Sequence, residues 1–196
     1  METTRKYVTN SATGDIVVCG LFAALMFIGA KLHIMIPIGT GVTVSLQIMF
    51  ALMAGFILGP KLGMISVIVY LIIGLMGVPV FAHGGGVWYL AKPTFGFLIG
   101  FAFAALFAGL LIKVWKKKNL IAYLVTAVVA MLSYYVCGLI YFYVLSNFLL
   151  PGADKIGVKD LFIVWFFSSV GPDIVIALVA GLAAYRIVPV VRNMQN

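Results

Sequence analysis

Apolar residues along this chain gather in long blocks, and polar residues, glycines and prolines gather in the short stretches between them. About twenty consecutive apolar residues cross a bilayer as a helix. By that measure the pattern predicts six spans, at roughly 15–32, 43–59, 62–80, 94–114, 119–146 and 161–188. Runs such as "FIVWFFSSV" and "LIGFAFAALFAGLLI" are apolar on every side. A spanning chain must satisfy its backbone internally, as helices or as a closed barrel, and barrel strands alternate apolar with polar residues. The expected fold is therefore an all-α integral membrane protein of six transmembrane helices, one domain over residues 1–196. "LGPKLG" (58–63) reads as a tight turn between the second and third spans. "KVWKKKN" (113–119) divides the fourth from the fifth, and "LPGADKIGVKD" (150–160) precedes the sixth. The most irregular connection is "VPVFAHGGGVWYLAKPTFGFLIG" (78–100), where three consecutive glycines, two prolines, a histidine and a lysine interrupt the apolar run around spans three and four.

Composition excludes a soluble domain: 64% of residues are hydrophobic and only 9% are charged. The net charge of +8 raises the question of an anionic partner, and its distribution answers it through the positive-inside rule. With both termini cytoplasmic, the inner side carries Arg5, Lys6, Lys61, Lys113, Lys116, Lys117, Lys118, Arg186 and Arg192. The outer side carries Lys31, Lys92, Lys155 and Lys159, partly offset by Asp154 and Asp160. The lysine cluster at 113–118 reads as a topology determinant on anionic lipid headgroups, and no feature suggests nucleic acid. The opening "METTRKYVTNSATG" is polar and no cleavage site follows, so the first span is expected to be retained. Cys19 and Cys137 fall in apolar stretches and read as free, packed thiols.

Candidate chemistry is sparse. "GFILGPKLG" lacks the spacing and the Ser/Thr of a phosphate loop, so no ATPase is encoded. His33 and His83 lie in external loops without a third ligand, no metal site or cofactor is expected, and no nucleophile–base set is visible. Asp173 is the one ionisable residue well inside a span, roughly 18 Å down the sixth helix at ~1.5 Å per residue. An intramembrane acid is costly to insert and is read as functional by default. It either contacts a ligand or bonds a neighbouring helix through Ser133, Tyr134 or Gln47. Pro172 beside it removes a helix hydrogen bond. The glycine stretch is either a flexible external loop or the lining of a pocket open to the outside. Small residues recur four apart at Gly20/Ala24, Gly55/Gly59 and Gly96/Gly100, as packing faces or as a docking face for another membrane subunit.

These residues resemble the biotin-specific S components (BioY family) of energy-coupling factor (ECF) transporters. The likeness lies in Leu46-Gln47, the turn Leu58 to Gly63, Gly77 to Gly84, and Lys92 to Phe97; it covers residues 43–100 and continues more weakly through all six spans. It implies six helices with cytoplasmic termini and an outward-facing pocket for biotin. The partners it implies are a separate transmembrane T component and ATPase subunits, with the chain itself no enzyme and resident in the cell membrane. It also implies docking on the T component through Gly20 and Ala24. Substrate contacts are expected from Asp173, Gln47 and the glycines Gly84, Gly85 and Gly86, from the aromatics Trp88, Tyr89 and Phe97, which suit a ring-and-chain ligand, and from Lys92, which pairs a carboxylate if its loop folds inward.

Four positions depart from the family pattern. Ile176 stands where a lysine is usual, Gly84 where a polar group is frequent, Phe95-Gly96-Phe97 replaces Gly-Gly-Tyr, and Lys92 replaces a glycine. Biotin presents a ureido ring, an apolar thiophane and a carboxylate, and a pocket short of polar groups holds the ureido less well. A less polar ring with an acid tail, such as lipoate, is the alternative cargo. A stand-alone ion-coupled carrier is the alternative of another class, against which one intramembrane acid and no inverted hydropathy repeat argue.

Overall fold

The structure is a computed structural model and describes residues 12–36, 42–149 and 155–193. Arg5, Lys6 and Asp154, used above for orientation, lie outside the described residues. Five helices are long and apolar enough to cross a membrane: Thr13–Lys31, Gln47–Leu75, Phe95–Val114, Leu120–Leu149 and Val158–Val191. The protein is thus a multi-pass membrane protein. In chain order the elements are α1 (Ala12–Lys31), a two-stranded ribbon β1 (His33–Ile36) and β2 (Val42–Ser45), α2 (Gln47–Leu75), α3 (Phe95–Val114), α4 (Leu120–Val144), the one-turn α5 (Val158–Leu161) and α6 (Ser168–Asn193).

The predicted second span begins too early. Residues 42–45 pair antiparallel with 33–36, with His33 opposite Ser45 and Ile36 opposite Val42. β-branched "VTV" suits a strand better than a first helical turn, and α2 starts only at Gln47. The third span ends early as well, at Leu75, because Gly77 takes φ 106° and Pro79 follows.

α2 is continuous only in name. Gly59 has φ 82° and ψ 178°, backbone that only glycine adopts readily, and Pro60 supplies no N–H. The chain reverses there: the Gln47 amide donates to the Tyr70 hydroxyl at 2.9 Å, whereas 23 residues of straight helix would separate them by roughly 35 Å. The two arms touch so closely that a Cβ on Gly63 would lie 2.9 Å from Ala54 and Gly55 backbone. The turn read from "LGPKLG" is present.

Without a hydrophobic drive between helices in lipid, close approach of backbones has to hold the bundle. Added Cβ atoms would lie 2.1 Å from the Ala105 carbonyl at Gly55 and 2.6 Å from the Tyr134 carbonyl at Gly100. Gly96 lies as tightly against Tyr141. Two of the three small-residue pairs are therefore internal seams, Gly55/Gly59 on α3 and Gly96/Gly100 on α4. Ala51, Ala105, Ala130 and Ala177 are completely buried in the same core. Gly20 and Ala24 differ: both are exposed on α1, and a Cβ on Gly20 would meet nothing within 4 Å. α1 packs its other face on α2 through Cys19, Phe22, Ala54 and Leu58. Both cysteines are free, Cys19 buried and Cys137 partly so.

Two wide turns interrupt the last helices, at Leu145–Leu149 and Phe162–Phe167. The second ends five residues before Pro172, whose ring cannot coexist with a regular bond to the Ser168 carbonyl. It swings Trp165 and Phe166 toward α4, where they meet Phe142 and Tyr135.

Candidate ligand-binding site

The glycine stretch forms a lid. The Gly86 N–H donates to the Gly74 carbonyl at 2.7 Å, folding the loop back on the end of α2, and Phe81 and Gly84 exchange backbone hydrogen bonds of 3.0 and 3.4 Å. Gly84 and Gly86 take φ near 110° and 102°. At Gly85 the constraint is space: a Cβ there would lie 2.2 Å from the Val78 carbonyl. A side chain at any of these three positions would open the fold-back. Its product is the placement of Phe81, wholly buried and packed edge-on against Tyr70 and 4.6 Å from the Tyr89 ring.

A short helical turn, Val87–Ala91, completes the lid. It points Tyr89 inward and Trp88 outward, Trp88 being 89% exposed. Two clamps fix it. The Lys31 ammonium at the end of α1 donates to the Phe81 carbonyl at 3.0 Å, and the Tyr141 hydroxyl from α4 donates to the Leu90 carbonyl at 2.6 Å. Burial pushes the Tyr89 phenol above its ordinary pKa, against a hydrogen bond with the His83 backbone that pulls it down.

Beneath the lid lies a cavity of about 350 Å³, within the range of small-molecule sites. Ser45 at the end of β2 and Gln47 and Ile48 at the start of α2 line it, with His83 and Tyr89 from the lid. Phe97, Leu98 and Phe101 of α3 also line it, as do Tyr134 and Tyr135 of α4 beside Trp165, Ser169 and Asp173. Asp173 is only 5% exposed. Its Oδ2 accepts from the hydroxyls of both Tyr134 and Tyr135, the latter at 2.6 Å. Those bonds leave Oδ1 with its acceptor capacity for a donor in the cavity. Gln47 is held differently. Its amide donates to Tyr70, Tyr70 donates to the Val80 carbonyl at 3.1 Å, and its Oε1 accepts from Ser45 at 3.4 Å. Gln47 thereby ties the cavity wall to the lid. The site offers aromatic surface and a buried carboxylate acceptor.

The structure brings Gln47, Tyr89, Phe97 and Asp173 to one cavity. Gly84, Gly85 and Gly86 shape the lid from their backbone without lining the cavity. Trp88 and Lys92 lie on the lid's outer side, exposed, with the Lys92 ammonium 4.4 Å from the centre of the Tyr89 ring. Asp173 both lines the cavity and bonds a neighbouring helix, so the two readings of it were not exclusive. Of the neighbours considered for it, Tyr134 is the bonding partner, while the Ser133 hydroxyl turns back to the Ala130 carbonyl at 2.6 Å. Tyr135, Phe101, Trp165 and Ser169 escaped the sequence reading. A pair of tyrosines in mid-span was the available signal for Tyr135. The others sit in runs that are apolar on every side. Ile176, one turn beyond Asp173, packs against the core outside the cavity.

Known proteins share this chain's sequence pattern and fold. The sequence pattern of the BioY family matches residues 2–193. A probable biotin transporter BioY from Lysinibacillus sphaericus is 37% identical over 94% of this chain and 91% of its own length. A biotin transporter BioY from Thermotoga maritima is 35% identical over 88% of this chain and 95% of its own. Among solved structures, a crystal structure of the S component for biotin from an ECF-type ABC transporter superposes with a TM-score of 0.75. It covers 95% of this chain and 94% of that one, at 24% identity, a likeness of fold.

Proposed function

The chain belongs to the BioY family, and from that premise we propose that it is the substrate-binding S component of an ECF-type importer, capturing biotin from outside the cell. The observation that carries the reading is the lidded cavity with a buried carboxylate in its wall. A ureido N–H can donate to Asp173 Oδ1, while the thiophane and its chain lie against Phe97, Tyr89 and Trp165. Gln47 holds the wall, and Gly84, Gly85 and Gly86 let the lid lie close over the ligand, with Trp88 and Lys92 on its outer surface. No ATP-binding loop is present in the sequence, so uptake requires a T component and ATPase subunits as partners. The exposed Gly20/Ala24 face of α1 suits that docking.

Counting the two arms of α2 separately, the chain crosses the cell membrane six times as a single domain. The lid then lies outside, and the termini and the lysines at 113–118 lie inside against lipid headgroups. The test is titration calorimetry of the purified protein with biotin. Binding is expected from the protein alone, with Asp173→Ala weakening it and Asp173→Asn showing how far an uncharged acceptor suffices. No heat with biotin, or unchanged affinity in Asp173→Ala, would overturn the reading.

One observation favours a second cargo: with Ile176 in the family lysine position, Asp173 is the one carboxylate among mostly apolar residues lining the cavity. Competition of lipoate against labelled biotin decides between them.

A further inference from the structure

We propose that Lys92 reads a negative charge on the bound molecule, so that the protein selects a free carboxylic acid over its neutral derivatives. This rests on the cavity being the biotin site. Charge is distributed unevenly around the cavity. The one carboxylate, Asp173, sits between α4 and α6, whereas the nearest lysines, Lys31 and Lys92, both flank the Phe81–Tyr89 ring pair of the lid. The acceptor lies in the cavity wall, and the two cations lie next to the lid residues Phe81 and Tyr89, of which Tyr89 lines the cavity.

The two lysines are differently engaged. The Lys31 ammonium is committed to the Phe81 carbonyl and lies 5.7 Å from the centre of the Phe27 ring. Its duty is to hold the lid. The Lys92 ammonium rests on the face of Tyr89, a ring that is 5% exposed and lines the cavity on its other side. Among the described residues no carboxylate pairs with it. An ammonium on a ring face keeps most of its N–H donors for another acceptor.

The residue is also held in place. Its N–H donates to the Tyr89 carbonyl at 3.1 Å, its carbonyl accepts from the Phe95 N–H at 2.9 Å, and the preceding turn is clamped by Tyr141. The ammonium is therefore carried on a fixed backbone and rests, exposed, beside Tyr89. An acid tail emerging past Tyr89 would meet it at the water boundary, where a charge-assisted hydrogen bond strengthens binding and the cation attracts anions from solution.

The experiment compares biotin with its uncharged carboxamide by calorimetry on the purified protein, in wild type, Lys92→Met, Lys92→Gln and Lys92→Arg. The wild type is expected to favour the acid about tenfold, the scale of one charge-assisted hydrogen bond. Both neutral variants should bind acid and amide alike at the wild-type amide affinity, and Lys92→Arg should restore the preference. Because the amide affinity is itself a control for folding, the ratio can be read from whichever neutral variant retains it. Equal binding of acid and amide by the wild type would overturn the inference and leave the biotin reading intact. A preference surviving in Lys92→Met and Lys92→Gln would assign the charge to another group, His83 or Lys31, and also overturn it. Wild-type protein binding neither compound would remove both the inference and the function it rests on.

Discussion

At Asp173 a single carboxylate oxygen takes the hydroxyls of two consecutive tyrosines. Consecutive residues of a helix point about 100° apart, so this convergence requires α6 to sit in the groove between the two side chains. The arrangement does two jobs: it makes an acid tolerable in a buried place, and by engaging Oδ2 it leaves Oδ1 unused by the two tyrosines. Removing a donor from a buried acceptor costs about 1–3 kcal/mol. Tyr134→Phe and Tyr135→Phe should each lower thermal stability in detergent by that order. The double variant should cost more than their sum, since either hydroxyl alone still satisfies the shared oxygen and only the loss of both leaves it without a donor. At Gly85 the expected effect falls on the lid. Gly85→Ala forces a methyl toward the Val78 carbonyl, so ligand affinity should drop while helical content by circular dichroism stays unchanged. Unchanged affinity in Gly85→Ala would mean that the fold-back does not govern access.

The decisive event among the elements is the reversal inside α2. Two arms share one apolar stretch, and the chain turns within Gly59-Pro60. Placing a side chain at such backbone costs about 1–3 kcal/mol. Gly59→Ala should therefore lower the melting temperature clearly, while Gly20→Ala, where a Cβ meets nothing, should leave it unchanged. Equal effects at the two positions would sink this distinction. A sequence reading treats Gly20/Ala24, Gly55/Gly59 and Gly96/Gly100 alike, because spacing is the same in all three. Only the packed bundle separates them, two seams turned inward and one face left open.

For the whole molecule, the open face of α1 and the lid are joined by one side chain, since Lys31 ends the helix that carries Gly20 and grips the carbonyl of Phe81. The proposed docking face and the lid clamp thus share an element. Gly20→Leu should leave biotin affinity of the isolated protein intact and reduce uptake in vesicles reconstituted with T component and ATPases. Loss of affinity in that variant would show that the face serves the fold instead.

Membrane character, the breaks at 58–63 and 113–119 and the last three long spans were all legible in the sequence, because each depends on local composition and on residues near in the chain. The isolated acid was equally visible, since a charge among apolar residues needs no context to stand out. The start of α2 was misplaced because "VTV" is apolar enough for a span yet forms a strand once paired with residues 33–36. Tertiary structure alone decided which tyrosines meet Asp173, which glycines are seams, and that the glycine loop works through its backbone while Tyr89 faces the cavity. The reason is physical: helices apolar on every side carry no amphipathic stripe to announce their rotation, so their facing residues are set by close packing between segments distant in the chain.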